Sequence, residues 1–474
     1  MLFNSYIFAL FAIIVFTLYF SINDWSWRKR FLLVMSYLFY AAWNIPYLLL
    51  IWFSTGIDFF AARRMAATHR KSIKSAFLAL SIVGNLAVLS YFKYGNFLLE
   101  SFTAVVSVAG IHYEPMPWNI LLPVGISFYT FQTLSYSLDV YRGRVKPSES
   151  LSDFALFVTF FPQLVAGPIV RARAFLPQLV DPIKVTSAKI GWGLNLILLG
   201  LFQKVVVADG IMAPVVNRVF AAEGYLPSAT VLAGMVGFTI QMYCDFSGYS
   251  MMAIGLAMCL GFRLPENFRA PFAAAGFQDF WRRWHISMST FFRDYLYVPI
   301  RRRAQSRTLT NVLVAQFFTF FIIGLWHGAS WNFALWGVFN AVFIVVEIGL
   351  QRTIGHWKLW KPKFWQYVFR AVTYGLFLLS ILLFRSADFG QAIDLFMSFL
   401  LPTETGIYLT RVDWVLMLPA VVAVFGLHHA LRDRSFEVVA RATPLAVRVT
   451  LLTAMLLTII LFGQPNEEFI YFQF

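Results

Sequence analysis

From Thr308 to Val346 the chain reads TLTNVLVAQFFTFFIIGLWHGASWNFALWGVFNAVFIVV, a stretch without a formal charge in which nineteen residues flank His327 on each side. A spanning helix needs about 20 residues at 1.5 Å each to cross a hydrocarbon core of about 30 Å. The stretch therefore reads as two membrane spans, near 309–326 and 331–350, with an imidazole where they join. Working outward, the same pattern recurs along the chain. Further candidate spans lie near 2–20, 31–43, 46–60, 76–93, 96–110, 190–209, 228–244, 246–262, 368–384, 413–429 and 447–463.

Composition agrees. Apolar residues make up 59% and charged residues 13% of 474, with mean hydropathy +0.68, where a soluble domain is about half apolar and a quarter charged. No stretch is left for a separate soluble domain, so residues 1–474 are expected to form one all-α polytopic membrane domain. The first run, LFNSYIFALFAIIVFTLYF, has neither a basic lead nor a small-residue cleavage site and reads as a retained span. Asn119 to Tyr141 and Phe154 to Arg173 are apolar but interrupted by Pro and Gly. Such breaks are tolerated at membrane depth only where protein or a wet cavity satisfies the freed backbone groups, and both are expected as re-entrant helices lining a chamber.

The net charge of +15, from 38 basic and 23 acidic residues, sits in short clusters between apolar runs. Topology and anionic lipid account for it without a nucleic-acid partner. WSWRKR (Trp25–Arg30) and ARRMAATHRKSIK (Ala62–Lys74) flank an apolar region broken at Asn44-Ile45-Pro46. A tight turn there puts both clusters on the cytoplasmic face and the N-terminus outside. Arg263 to Arg303, with eight basic and three acidic residues among many aromatics, is too charged to span. Trp281, His285, Met288, Ser289 and Phe292 share one helical face in it, the pattern of an interfacial helix on the cytoplasmic leaflet.

An ionisable group among apolar helices is a functional candidate by default, although a neutral histidine can simply bridge two helices. Around His327, the residues Trp326, Gly328, Ser330, Trp331 and Asn332 offer close-approach backbone, hydroxyl and amide groups, as a small polar pocket requires. His285 is the second candidate, against a bland reading as an aromatic-flanked residue at the lipid interface. No metal site is expected, since zinc needs three or four ligands and His69, His112, His356, His428 and His429 lie in connections or a distant span. Cys244 and Cys259, both in apolar surroundings, imply neither a disulfide framework nor a Cys-based metal site. Asp245, in QMYCDFSGYS, reads either as an Asx turn or cap between two spans, with Ser247 and Gly248 as turn residues, or as a support residue of the site. Asp139 with Arg142 reads as a span terminus with a local ion pair.

Eight stretches together resemble the membrane-bound O-acyltransferase (MBOAT) family, in the bacterial branch of alginate O-acetyltransferase membrane subunits. They are FKYGNF (92–97), LPVGISFYTFQTLSYSLDVYRG (122–143), FFPQLVAGPIVR (160–171), QMYCDFSGYS (241–250), GFRLPENFRAPF (261–272), FWRRWHISMSTFFRDYLYVPI (280–300), GLWHGASWNF (324–333) and the terminal FIYFQF. The resemblance implies that His327 is the essential histidine and His285 the second active-site position. It also implies a ring of about eleven spans with re-entrant helices around a reaction channel. Family members often carry Asp after DFSGYS where this chain has Met251, which weakens any role for a second carboxylate there but leaves Asp245 untouched.

The function implied is that of an O-acetyltransferase of a bacterial inner membrane. His327 would take a hydroxyl proton as general base, a buried imidazole being favoured in its neutral form. His285 would orient the thioester or stabilise the oxyanion, and Trp326, Asn332, Ser330, Asp245 and Arg293 would contact substrate. No bound cofactor is implied; acetyl-CoA is the expected donor, with Arg293 and Arg301 to Arg303 as phosphate partners unless they serve topology alone. The acceptor is an exopolysaccharide such as alginate, reached directly or through a periplasmic SGNH-type relay protein. A D-alanyl transferase, a polysaccharide flippase and a non-catalytic export scaffold are the competing readings. One geometric tension remains: eighteen residues from Leu309 cover about 27 Å, which puts His327 nearer the far surface than the midplane.

Overall fold

In the computed structural model, residues 1–116, 121–303, 308–355, 363–401, 409–463 and 469–470 are described. The beginning of the Asn119–Tyr141 segment, His356 and the last four residues of FIYFQF lie outside them. Among the described residues all regular structure is helical. Nine helices among the described residues are long and apolar enough to cross a bilayer, and Tyr6–Ser21 and Phe389–Leu400 are shorter apolar helices. The chain forms two compact units, one of residues 1–194 with 253–265 and one of 195–252 with 266–474.

The first unit shows how polar groups are carried among spans. Trp25–Ala41 and Leu48–Ala66 are joined by the turn at Ile45–Tyr47, as the Asn-Ile-Pro break predicts. Asp58 is fully buried and accepts hydrogen bonds from Ser137 Oγ at 2.7 Å, Asn85 Nδ2 at 2.8 Å and Ser81 Oγ, so three helices are tied through one carboxyl. Lys71–Leu89 continues through a π-helical turn at Ser90–Tyr94 into Gly95–Val108; the two spans expected near 76–93 and 96–110 are one long helix.

The two interrupted segments differ. In the first, the described residues 121–125, with Pro123 and Gly125 at φ +75°, are non-helical and precede the unbroken helix Ile126–Tyr141; Gly125 lets the backbone approach the Leu164 carbonyl. The other breaks at Phe160, and protein groups satisfy what the break frees: Phe161 N–H donates to Ser36 Oγ at 3.1 Å and Gln163 Nε2 to the Phe157 carbonyl at 2.6 Å. Asp139 forms an ion pair with Arg144 at 3.7 Å.

In the second unit, the hairpin of Leu309–His327 and Trp331–Thr353 is the tightest pairing. A Cβ on Gly324 would lie 2.2 Å from the Phe333 carbonyl, and one on Gly337 would lie 2.3 Å from that of Phe320. Only glycine permits that approach. Ser228–Cys259 is a single 32-residue helix running through Asp245, so the Asx turn expected there does not exist. Gly248 faces the Gly200 carbonyl at close range instead of serving a turn.

Candidate active site

His327 is the last residue of its helix and is 3% exposed. Three aromatic rings enclose it: Trp326 at 4.9 Å between centroids, Trp336 at 5.0 Å and nearly perpendicular, and Phe384 at 5.4 Å. The near side of the hairpin and the Lys363–Arg385 helix thus shield the imidazole, so its place at a helix end does not open it to water. Trp336 is buried and its Nε1 has no hydrogen-bond partner among the described residues. A buried indole N–H ordinarily finds one. Its ring also meets that of Trp281 at 5.9 Å.

His285 is fully buried, its ring 5.8 Å from that of Trp326 and 4.6 Å from that of Phe246. Trp326 is thus in ring contact with both imidazoles, and the separation of their centroids is bounded by the sum of its distances to each. The continuous interfacial helix expected from Trp281 to Phe292 is absent. Phe277–Trp281 and Ile286–Phe292 are separate short helices, and His285 between them adopts a left-handed backbone at φ +42°. The expected aromatic face nevertheless stays together. Trp281, His285, Met288 and Phe292 are buried against protein, not spread on lipid, because the break lets the second helix turn inward.

What holds that break is Asn267, in GFRLPENFRAPF. Its main-chain carbonyl accepts Ile286 N–H at 2.9 Å and its Oδ1 faces His285 Nδ1 at 3.1 Å. His285 Nε2 has no hydrogen-bond partner among the described residues. Burial holds the imidazole well below its ordinary value, at about 3, so the ring is neutral at working pH and Nε2 offers a lone pair. An oxyanion needs a donor, which a neutral ring protonated at Nδ1 cannot provide from Nε2.

The remaining expected residues divide. Asn332 is buried and donates to the Ser386 carbonyl at 3.3 Å, which ties the hairpin to the Lys363–Arg385 helix. Ser330 caps the second hairpin helix without a side-chain bond and is half-buried. Arg293 is exposed, bonded to Asp294 at 2.8 Å, and lines a cleft of about 520 Å³ with Trp281, Ser289, Thr319 and Phe320. Arg301 to Arg303 are exposed at the end of Val298–Arg303. A second cleft of about 560 Å³ is lined by Met251, Arg269, Arg283, His428, Arg432 and Arg434 among others.

Asp245 belongs to a buried charge cluster. Lys204 Nζ lies 2.9 Å from Asp245 Oδ1 and 2.9 Å from Asp209 Oδ1, and Asp245 Oδ2 accepts Ile470 N–H at 2.7 Å. Phe469, next to Ile470, packs on Phe246 and Tyr249. Asp245 thus anchors the described C-terminal residues beneath the His285 wall. Lys204, Asn267 and Trp336 do not stand out in the sequence; only Asn267 sits in one of the family-like stretches, as one polar residue among several.

Nine apolar helices of spanning length among the described residues, with two buried imidazoles beside them, mark a multi-pass membrane protein. The MBOAT, membrane-bound O-acyltransferase family model matches residues 145–387. A probable alginate O-acetylase AlgI of Azotobacter vinelandii is 38% identical over 79% of this chain and 74% of its own. A peptidoglycan O-acetyltransferase of Helicobacter pylori is 33% identical over 83% and 78%. A teichoic acid D-alanyltransferase of Bacillus subtilis is 29% identical over 48% and 59%. This chain belongs to the membrane-bound O-acyltransferase family, and it is an acyltransferase.

Proposed function

We propose that this chain is an O-acetyltransferase of a bacterial inner membrane. It moves an acetyl group from cytoplasmic acetyl-CoA to a hydroxyl of an exopolysaccharide such as alginate, directly or through a periplasmic SGNH-type relay protein. The observation that carries the reading is His327, an imidazole enclosed by Trp326, Trp336 and Phe384 in a membrane acyltransferase. Relatives named for O-acetylation resemble the chain more, and over more of its length, than the D-alanyltransferase does.

His327 acts as general base. The acceptor oxygen attacks the thioester carbonyl carbon while its proton passes to the imidazole. The carbonyl becomes a tetrahedral oxyanion, which collapses as the C–S bond breaks, and the leaving thiolate takes from the imidazolium the proton that came from the acceptor hydroxyl. The Trp336 N–H beside His327 is the donor for the oxyanion, in a wall from which water that would hydrolyse the thioester is excluded. His285 Nε2 accepts a hydrogen bond from an N–H or O–H of the substrate and so orients it. The Arg293 cleft is the favoured door for the donor, since its wall residue Trp281 is in ring contact with Trp336.

The test is transfer of label from radiolabelled acetyl-CoA to a hydroxyl acceptor in proteoliposomes. His327→Ala should reduce it on the order of 100- to 10,000-fold. Equal labelling by the variant would remove the mechanism. Labelling from a D-alanyl carrier thioester but not from acetyl-CoA would replace the donor.

A further inference from the structure

We infer that Asn267 is the positioning residue that fixes the working face of His285: its side-chain oxygen accepts a hydrogen bond from Nδ1–H, so that Nε2 faces the substrate as a hydrogen-bond acceptor. The inference rests on the proposed role of His285 in acyl transfer and adds the residue that sets its tautomer.

The orientation of the Asn267 amide follows from its partners. Oδ1 lies 3.2 Å from the main-chain nitrogen of Ser287, 2.9 Å from Ser287 Oγ and 3.1 Å from His285 Nδ1. A main-chain N–H can only donate, so the amide atom facing it is the oxygen and not the NH2 group. His285 Nδ1 must then be the donor in its own contact. A neutral imidazole carries a single N–H, which leaves Nε2 with the lone pair. On the other side, Asn267 Nδ2 donates to Ser250 Oγ at 3.2 Å, which ties the amide to the Ser228–Cys259 helix.

Asn267 is 1% exposed and His285 fully buried, so water does not compete for these bonds. The left-handed backbone at His285, costly for a side chain other than glycine, is held by the bond from Ile286 N–H to the Asn267 carbonyl. One asparagine therefore sets both the backbone that aims the ring and the proton that decides which nitrogen is basic. Phe246 and Trp326, the rings that face His285, supply no titratable group. A buried acceptor without a partner among the described residues is a seat for a donor group of the substrate.

The experiment uses the full chain, labelled with 15N-histidine, in lipid nanodiscs, alongside acetyl-transfer kinetics and melting midpoints. The His285 ring signals, identified by their loss in His285→Gln, should show protonated Nδ1 and bare Nε2. Asn267→Ala should shift the proton toward Nε2 and lower kcat on the order of 100-fold with the donor KM little changed. Asn267→Asp keeps an oxygen in place and should restore the Nδ1 proton and most of the rate. A folded Asn267→Ala with wild-type kcat and unchanged ring signals would overturn the inference while leaving His285 in its role. Wild-type transfer by His285→Gln would instead sink the reading of the site, and the inference with it. Should Asn267→Ala not fold, Asn267→Asp decides: a folded, Nδ1-protonated and active variant supports the inference, and a folded, Nδ1-protonated, inactive one overturns it.

Discussion

At the scale of single residues, Trp336 offers the sharpest separation of chemistry from packing. Trp336→Phe keeps a ring against His327 and removes only the indole N–H. If that N–H meets the oxyanion, kcat falls on the order of 100-fold while donor KM and the melting midpoint stay close to wild type; an unchanged kcat in label-transfer assays would exclude it. His285 leads to a second expectation, in stability. Its folded value near 3 lies below the ordinary 6.5 because burial disfavours the charged ring. Between those values the unfolded chain binds a proton that the folded chain does not, so stability falls as pH drops below about 6.5. The melting midpoint in detergent should therefore decline from pH 7 to pH 5, and decline less in His285→Gln. Both imidazoles are legible in the sequence because a titratable ring stands out among apolar neighbours. Asn267 is not, being one polar residue among several in RLPENFRAP, and Trp336 looks like any other aromatic of a span.

At the scale of elements, the helix through Asp245 shows why span boundaries drawn from one segment fail. An acid in an apolar run is costly by itself, so the sequence is naturally divided there. The charge is met from another helix, by Lys204, in the π-helical stretch Gln203–Met212. The wider π turn brings residues five apart to the same side, which lets Lys204 reach Asp209 as well. None of this is visible as local hydropathy. Lys204→Ala takes the cation from between the buried Asp245 and the half-buried Asp209 and should destabilise the fold by about 3–5 kcal/mol, read as a lower melting midpoint and poor yield of folded protein. Combining Lys204→Met with Asp209→Asn and Asp245→Asn removes all three charges and should recover most of that loss. If the triple variant is as unstable as Lys204→Ala, desolvated charge is not the cause.

At the scale of the whole molecule, charge bias decides orientation, and orientation decides which cleft the donor can reach. Arg28 to Arg30 lie at the start of Trp25–Ala41, Arg63 and Arg64 at the end of Leu48–Ala66, and the Ile45–Tyr47 turn lies between them. Helices of 17 and 19 residues cover about 25 and 28 Å, enough to return the second cluster to the side of the first. Each basic residue near an anionic leaflet is worth about 1 kcal/mol, so both clusters belong on the cytoplasmic side and the turn outside. Arg301 to Arg303, independently, carry the same bias beside the Arg293 cleft. Alkaline phosphatase, active only outside, should be active when fused after Ile45 and inactive after Arg70 or Arg303, and a cytoplasmic fluorescent reporter should give the reverse. An active phosphatase after Arg303 would turn the Arg293 cleft away from the cytoplasm. Acetyl-CoA could then not enter there, and the cleft lined by Arg269, Arg283 and Arg432 would have to receive it instead.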